Sequence, residues 1–131
     1  MSKFDCDSPL HPEALCGIEL FNAGEYFEAH EALETAWRAE PGPIRELYQG
    51  ILQVSVTYLH IQRGNYGGAT KVSARCQRKL DHWPDTCRGV DVAALRRNLA
   101  TVMETLARLG PGRIREFDDG WFGKVEVKRE K

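Results

Sequence analysis

The sequence predicts an all-α protein: a single domain over residues 1–131, folded as a five-helix bundle of two αα-hairpins plus a covering C-terminal helix. Three observations predict it. Apolar residues recur at helical spacing through most of the chain, Gly and Pro punctuate that pattern, and one turn sequence is used twice. No segment makes a convincing sheet, and residues 124–128 alternate only weakly.

The first helix begins near Pro12, where a missing N–H costs nothing, and carries Ala14, Leu15, Ile18 and Phe21 on one face. Gly24 breaks it, and a second helix runs from about Glu25 to Arg38. Pro41-Gly42-Pro43 ends the second and starts a third, from about Ile44 to Arg63, whose stretch Ile51 to Ile61 is mostly apolar and therefore central. Gly64-Asn65 closes it. A fourth helix covers Tyr66 to Leu80, with Ala69, Val72, Cys76 and Leu80 inward. Trp83-Pro84 and Gly89 mark a longer loop, and Asp91 reads as the N-cap of the fifth helix. There Val92, Leu95, Leu99, Val102, Leu106 and Leu109 form an amphipathic stripe. Gly110-Pro111-Gly112 ends it, so the helical core covers about 12–109. In the tail, 110–131, Ile114, Phe117, Trp121 and Phe122 are expected to pack on the bundle or trail from it, ahead of a charged end.

Phe21-x-x-Gly24-x-Tyr26-x-x-Ala29 reappears as Ile61-x-x-Gly64-x-Tyr66-x-x-Ala69, 40 residues on, each time where one helix turns into the next. Gly permits the tight turn and Ala the close approach of two helices. This is the logic of helical-hairpin repeat modules.

Charge and cysteine content narrow the function classes. Lys plus Arg is 18 and Asp plus Glu is 19, a net charge of −1 that disfavours a nucleic-acid partner. The balance is uneven along the chain: residues 1–50 hold ten acidic and three basic residues, 63–97 eight basic and three acidic. Lys71, Arg75, Arg78 and Lys79 line one side of the fourth helix, as a phosphate or nucleic-acid patch or, preferred here, as a solvated face complementing the acidic half within one chain or across a homodimer. No apolar run reaches the ~20 residues of a membrane span, and Met1 to Asp7 lacks the apolar core of a secretory signal. A cytoplasmic protein without a membrane partner is expected. Cys6, Cys16, Cys76 and Cys87 are then expected to be thiols. The spacings Cys6, His11, Cys16 and Cys76, His82, Cys87 can be drawn as zinc ligands but match no tight finger or ribbon.

The chemistry-bearing residues lie on the second and third helices. At about 100° per residue, with His30 at zero, Trp37 falls at about −20°, Tyr26 at about −40° and Glu34 at about +40°. His30 thus sits among apolar residues and Glu34 at their edge, with Arg38 one turn on as its cheapest partner. On the third helix Glu46, Gln49, Gln53, Thr57 and His60 form a narrow polar seam. The seam is the wet side of an amphipathic helix or, the favoured expectation, faces His30 and Glu34 to enclose a polar site between helices 2 and 3. His30-Glu31-x-x-Glu34 then has the geometry of a zincin helix with a carboxylate in place of the second His. His30, Glu34 and His60 are the candidate ligands of a divalent metal, Glu31 the candidate catalytic base, and Gln49, Gln53 and Tyr48 the candidate ligand-binding residues. A bound metal would acidify its water for hydrolysis. The E-x-x-H of di-iron bundles is absent, since position 27 is Phe.

Phe27-Glu28-Ala29-His30-Glu31-x-Leu33-Glu34-x-x-Trp37, Leu47-Tyr48-Gln49-Gly50-Ile51-x-Gln53, His60, Gly64-Asn65 and Gly68-Ala69 resemble the prokaryotic family called domain of unknown function 309. The resemblance spans about 12–109. It implies a small helical bundle and carries the label "predicted metal-dependent hydrolase", which rests on the same His and Glu residues; His30, Glu31, Glu34, Gln49, Gln53 and His60 match the family's polar motif. Two functions remain: a metal or small-ligand site, with hydrolysis as its chemistry, and a non-catalytic helical-repeat interaction module in which His30 and Glu34 belong to a structural network. The residues leave open whether the chain is an enzyme.

Overall fold

The computed structural model describes residues 5–128. Its helices are α1 (Pro12–Asn22), α2 (Tyr26–Ala39), α3 (Arg45–Gln62), α4 (Tyr66–Asp81) and α5 (Val92–Leu109). A small antiparallel ribbon, β1 (Thr86–Cys87) and β2 (Val90–Asp91), precedes α5. α1 packs on α2, α2 on α3 and α3 on α4, with α5 beside α4. The fold is therefore all-α, two stacked hairpins and a covering helix. None of the described helices is long and apolar enough to cross a membrane. Residues 1–4 of the N-terminal reading and the charged end, 129–131, lie outside the described residues.

The repeated turn sequence folds the same way twice. Gly24 (φ 81°) and Gly64 (φ 74°) both take the left-handed conformation. Glu25 N–H donates to the Leu20 carbonyl at 2.9 Å and Gly24 N–H to Phe21 at 3.0 Å; Asn65 to His60 at 2.8 Å and Gly64 to Ile61 at 3.0 Å repeat the pattern. These are Schellman caps, in which only glycine avoids a Cβ penalty. Small residues then bring the helices close. Ala29 and Ala36 are fully buried, and a Cβ on Gly17 of α1 would lie 2.7 Å from Leu33 Cγ. The expected stripe of α5 is buried from Val92 to Leu106, and the Asp91 carboxylate caps that helix by accepting from Ala94 N–H at 2.9 Å.

Two expectations change. The loop before α5 contains the β-ribbon, because Arg88 (φ 48°) and Gly89 (φ 82°) both adopt positive φ, as a two-residue hairpin turn requires. The cysteines are not all thiols: Cys6 and Cys87 form a disulfide across a sequence separation of 81. Neighbouring Arg88 explains how these distant residues meet. Its guanidinium is buried and donates to the Asp5 carbonyl (2.9 Å), the Asp5 carboxylate (2.7 Å), the Pro9 carbonyl (3.3 Å) and the Tyr48 hydroxyl (3.1 Å), strapping the N-terminal segment to the hairpin. Cys16 is free and exposed; Cys76 is free and buried, and burial pushes its thiol up to about 12.

The tail is packed on the bundle. Ile114, Phe117 and Val125 are buried. Asn22 of α1 clamps the tail twice, its amide donating to the Val125 carbonyl and accepting from Val125 N–H, both at 2.8 Å. Phe122 closes an aromatic cluster with Tyr26 (5.4 Å), Tyr58 (4.6 Å) and Phe117 (4.8 Å). The weak alternation near 124–128 yields one isolated bridge, Val127 to Val90.

Candidate functional site

α2 is sandwiched between α1 and α3, so its buried face must be narrow. Tyr26 begins it, and Ala29, Ala32, Leu33 and Ala36 continue it with small or compact side chains. The bulkier Phe27 and Trp37 flank that face, Phe27 being 43% exposed and Trp37 half-buried. This placement turns His30 and Glu34 away from the core, where they are half-buried, while Glu31 is exposed. The expectation of an imidazole in the middle of the apolar stripe is thereby corrected: the alanines, not the aromatics, mark the centre of the buried face.

His30 is bonded within its own helix. Its Nδ1 lies 2.8 Å from the Phe27 carbonyl, which only a protonated Nδ1 can engage, and its ring packs on Phe27 at 5.3 Å. Glu34 pairs with Arg38 at 3.4 Å, one turn on. His60 turns toward α4. Asn65, the N-cap of α4, accepts from Gly68 N–H through Oδ1 at 2.9 Å and so points its amide nitrogen at His60 Nδ1, 3.1 Å away. The ring lies so close to the α4 backbone that a Cβ on Gly68 would meet His60 Cε1 at 2.8 Å. The same direction holds along the seam, where Glu46 bridges to Lys79 of α4 at 2.5 Å.

Gln49 and Gln53 are half-buried on α3, and Gln53 Oε1 is enclosed without a hydrogen-bond partner. Tyr48 is fully buried and its hydroxyl is already occupied, accepting from His11 N–H at 3.0 Å and from Arg88. Among the described residues no three His, Cys, Asp or Glu side chains are grouped so that they could hold a metal ion, so His30, Glu34 and His60 are not gathered as a ligand set.

What α2 and α3 do share is a continuous half-exposed surface. On α3 it runs through Arg45, Gln49, Leu52, Val56 and Leu59 to the exposed Arg63. Their steps of four and three residues form a seam one side chain wide and roughly 27 Å long at ~1.5 Å per residue. On α2, Phe27, His30, Glu34 and Trp37 step by three, four and three alongside it. The two rows meet at both ends: the Arg45 guanidinium lies 4.9 Å from the Trp37 ring centre, and Arg63 lies 6.0 Å from that of Phe27. Trp37 Nε1 and Arg45 Nε are enclosed there without acceptors. Sequence reading missed Arg45, Leu52, Val56 and Arg63 as a set; the four-and-three spacing was the available signal, hidden by the seam of polar residues next to it.

Residues 15–72, which hold both rows, match the family described as Domain of unknown function (DUF309). The chain is similar to the uncharacterized protein YpuF of Bacillus subtilis (strain 168), 32% identical over 102 residues that cover 74% of this chain and 59% of that protein. It is also similar to an uncharacterized protein of Aquifex aeolicus (strain VF5), 26% identical over 86 residues covering 65% of this chain and 26% of that protein. The chain thus spans less than two thirds of the length of either relative.

Proposed function

We propose, for a chain that belongs through residues 15–72 to the family described as Domain of unknown function (DUF309), the role of a non-catalytic interaction module that docks an amphipathic helix of another protein on the α2–α3 face. The observation that carries this reading is the pair of half-exposed rows, stepped at coiled-coil spacing and ending in Trp37–Arg45 and Phe27–Arg63. Helix-in-groove docking uses such rows, and Trp, Phe and Arg are enriched at interface centres. A second copy of this chain fits less well. An antiparallel two-fold pairing through α3 would set Arg45 of one copy against Arg63 of the other, and like charges repel across such a seam. The partner is therefore a different chain with acidic residues at both ends of its apolar stripe.

Helix-forming peptides selected from a display library on the full chain test this. They are expected to carry apolar residues at helical spacing between acids, and to lose at least tenfold in affinity on Val56→Glu with the melting temperature unchanged. Peptides indifferent to Val56→Glu, or mapped by nuclear magnetic resonance to another face, would refute the proposal.

A further inference from the structure

α3 and α4 flank an open cavity of about 660 Å³ on the side of α3 that carries Glu46 and Gln53, a volume within the ordinary range for small-molecule sites. Arg75, Arg78 and Lys79 line it from α4, and His82 and Trp83 line it beyond the end of that helix. We infer that this cavity binds a small organic phosphate, with the phosphate held by Arg75 and Arg78 and a donor of the ligand held by Gln53.

Two independent features point to a ligand. The first is cationic. Three cations face one carboxylate, and that carboxylate, Glu46, is already bridged to Lys79. Arg75 and Arg78 are exposed and have no ion-pair partner among the described residues. Helix-dipole compensation accounts for Arg78 and Lys79, which lie in the last turn of α4. It does not account for Arg75, a full turn earlier, because the dipole's influence falls off within that last turn. Two guanidinium forks three residues apart on one helix suit the several oxygens of a phosphate dianion better than a single carboxylate. The second feature is Gln53, which lines the cavity and whose Oε1 is buried without a hydrogen-bond partner. A buried acceptor left bare is costly, and a hydroxyl or amino group of the ligand would satisfy it. Free phosphate lacks the apolar body that would rest on Trp83, so an ester is the better fit.

This site is independent of the α2–α3 docking face, and the two proposals fail separately. The test is titration of the full chain, at low salt, with inorganic phosphate, an uncharged nucleoside, a panel of phosphate monoesters (a nucleoside, a sugar and a glycerol phosphate) and a single-stranded oligonucleotide. Side-chain resonances of Gln53, Arg75 and Arg78 report binding. At least one monoester is expected to bind at least tenfold more tightly than inorganic phosphate or the nucleoside. Arg75→Gln with Arg78→Gln should weaken it tenfold or more. Gln53→Leu should weaken the ester but not inorganic phosphate, which separates a ligand contact from a general loss of fold. Failure of every monoester to bind, or binding unchanged by the double substitution, overturns the inference. Oligonucleotide affinity that grows with length and exceeds that of every monoester also overturns it, in favour of a polyanion surface.

Discussion

Replacing His30 with Ala separates the interaction module from a buried or metal-bound histidine, and the structure fixes the expected size of the effect. The imidazole makes one hydrogen bond, to a carbonyl one turn back in its own helix, and is half exposed. Such a bond contributes about 0.5–1.5 kcal/mol net. Against that, Ala is the better helix former by up to about 0.7 kcal/mol. The contact with the Phe27 ring is lost, but that ring is itself largely in water. The sum is a destabilisation below about 1 kcal/mol, or a shift in melting temperature under about 4 °C for a domain of this size. Urea unfolding followed by far-ultraviolet circular dichroism, run with chelator and again with added zinc, measures it. A loss above about 2 kcal/mol would indicate an imidazole satisfying buried partners. Zinc stabilisation of the parent chain that vanishes in His30→Ala would indicate a metal ligand. Either result refutes the module reading of this residue.

Breaking the Cys6–Cys87 tie with Cys87→Ser should cost about 2–4 kcal/mol, since it releases a long loop in the unfolded chain; a change under about 1 kcal/mol in urea unfolding would contradict the strap. In the native, unreduced protein a thiol reagent should label Cys16 alone at neutral pH, with Cys76 reacting only on unfolding, because burial holds its thiol near 12. Thermal stability should fall as the pH rises from about 9 toward 12. Tyr26 is pushed up to about 12 and Cys76 likewise, both mainly by burial, so their protonated forms stabilise the fold until rising pH ionises them first in the unfolded chain. Tyr58→Phe should leave stability unchanged or raise it slightly, since the hydroxyl it removes is enclosed without a partner.

The helices were legible because their signals are local. Gly24 and Gly64 stop α1 and α3 through backbone conformations that glycine tolerates best, Asp91 starts α5 through its own carboxylate, and the α5 stripe needs no knowledge of its neighbours. The strap was not legible. Arg88 meets Asp5 and Tyr48 only because folding brings positions 83 and 40 residues apart together, and nothing local marks Cys6 for Cys87 rather than Cys16. The rotation of α2 was misread for a related reason. A helical wheel weights large apolar residues, and the aromatics of α2 pull the apparent buried face toward His30. Packing between two close neighbours reverses that weighting: Ala29, Ala32, Leu33 and Ala36 take the buried face with Tyr26 at its start, and Phe27 and Trp37 go to the flanks. The seam of α3 is a line, as the spacing implies, but the favoured expectation that it faces His30 and Glu34 is corrected, because both of its ends turn to α4. Lys79 in α4 and Asn65 at the N-cap of that helix hold its two ends.

The protons on the two histidines sharpen the case against His-Glu-x-x-Glu as a metal motif in this fold. Any helix places residues four apart on one face, so His30 and Glu34 share a surface whatever they do; a metal centre needs a further ligand converging from another element. His60 is that ligand in the sequence, and its position is already decided by the cap of α4. Gly68 N–H fixes the Asn65 amide, so the group facing His60 Nδ1 is an N–H donor and Nδ1 must be the bare acceptor. The proton of neutral His60 then sits on Nε2, the atom that would have to be bare to bind a metal. Moving it to Nδ1 would set donor against donor at 3.1 Å and forfeit the hydrogen bond. His30 carries a proton on Nδ1, the nitrogen that His60 leaves bare. His30 thus belongs to the outer row of α2 and His60 to the contact of α3 with α4, so among the described residues the two imidazoles are not gathered with a third ligand around one point.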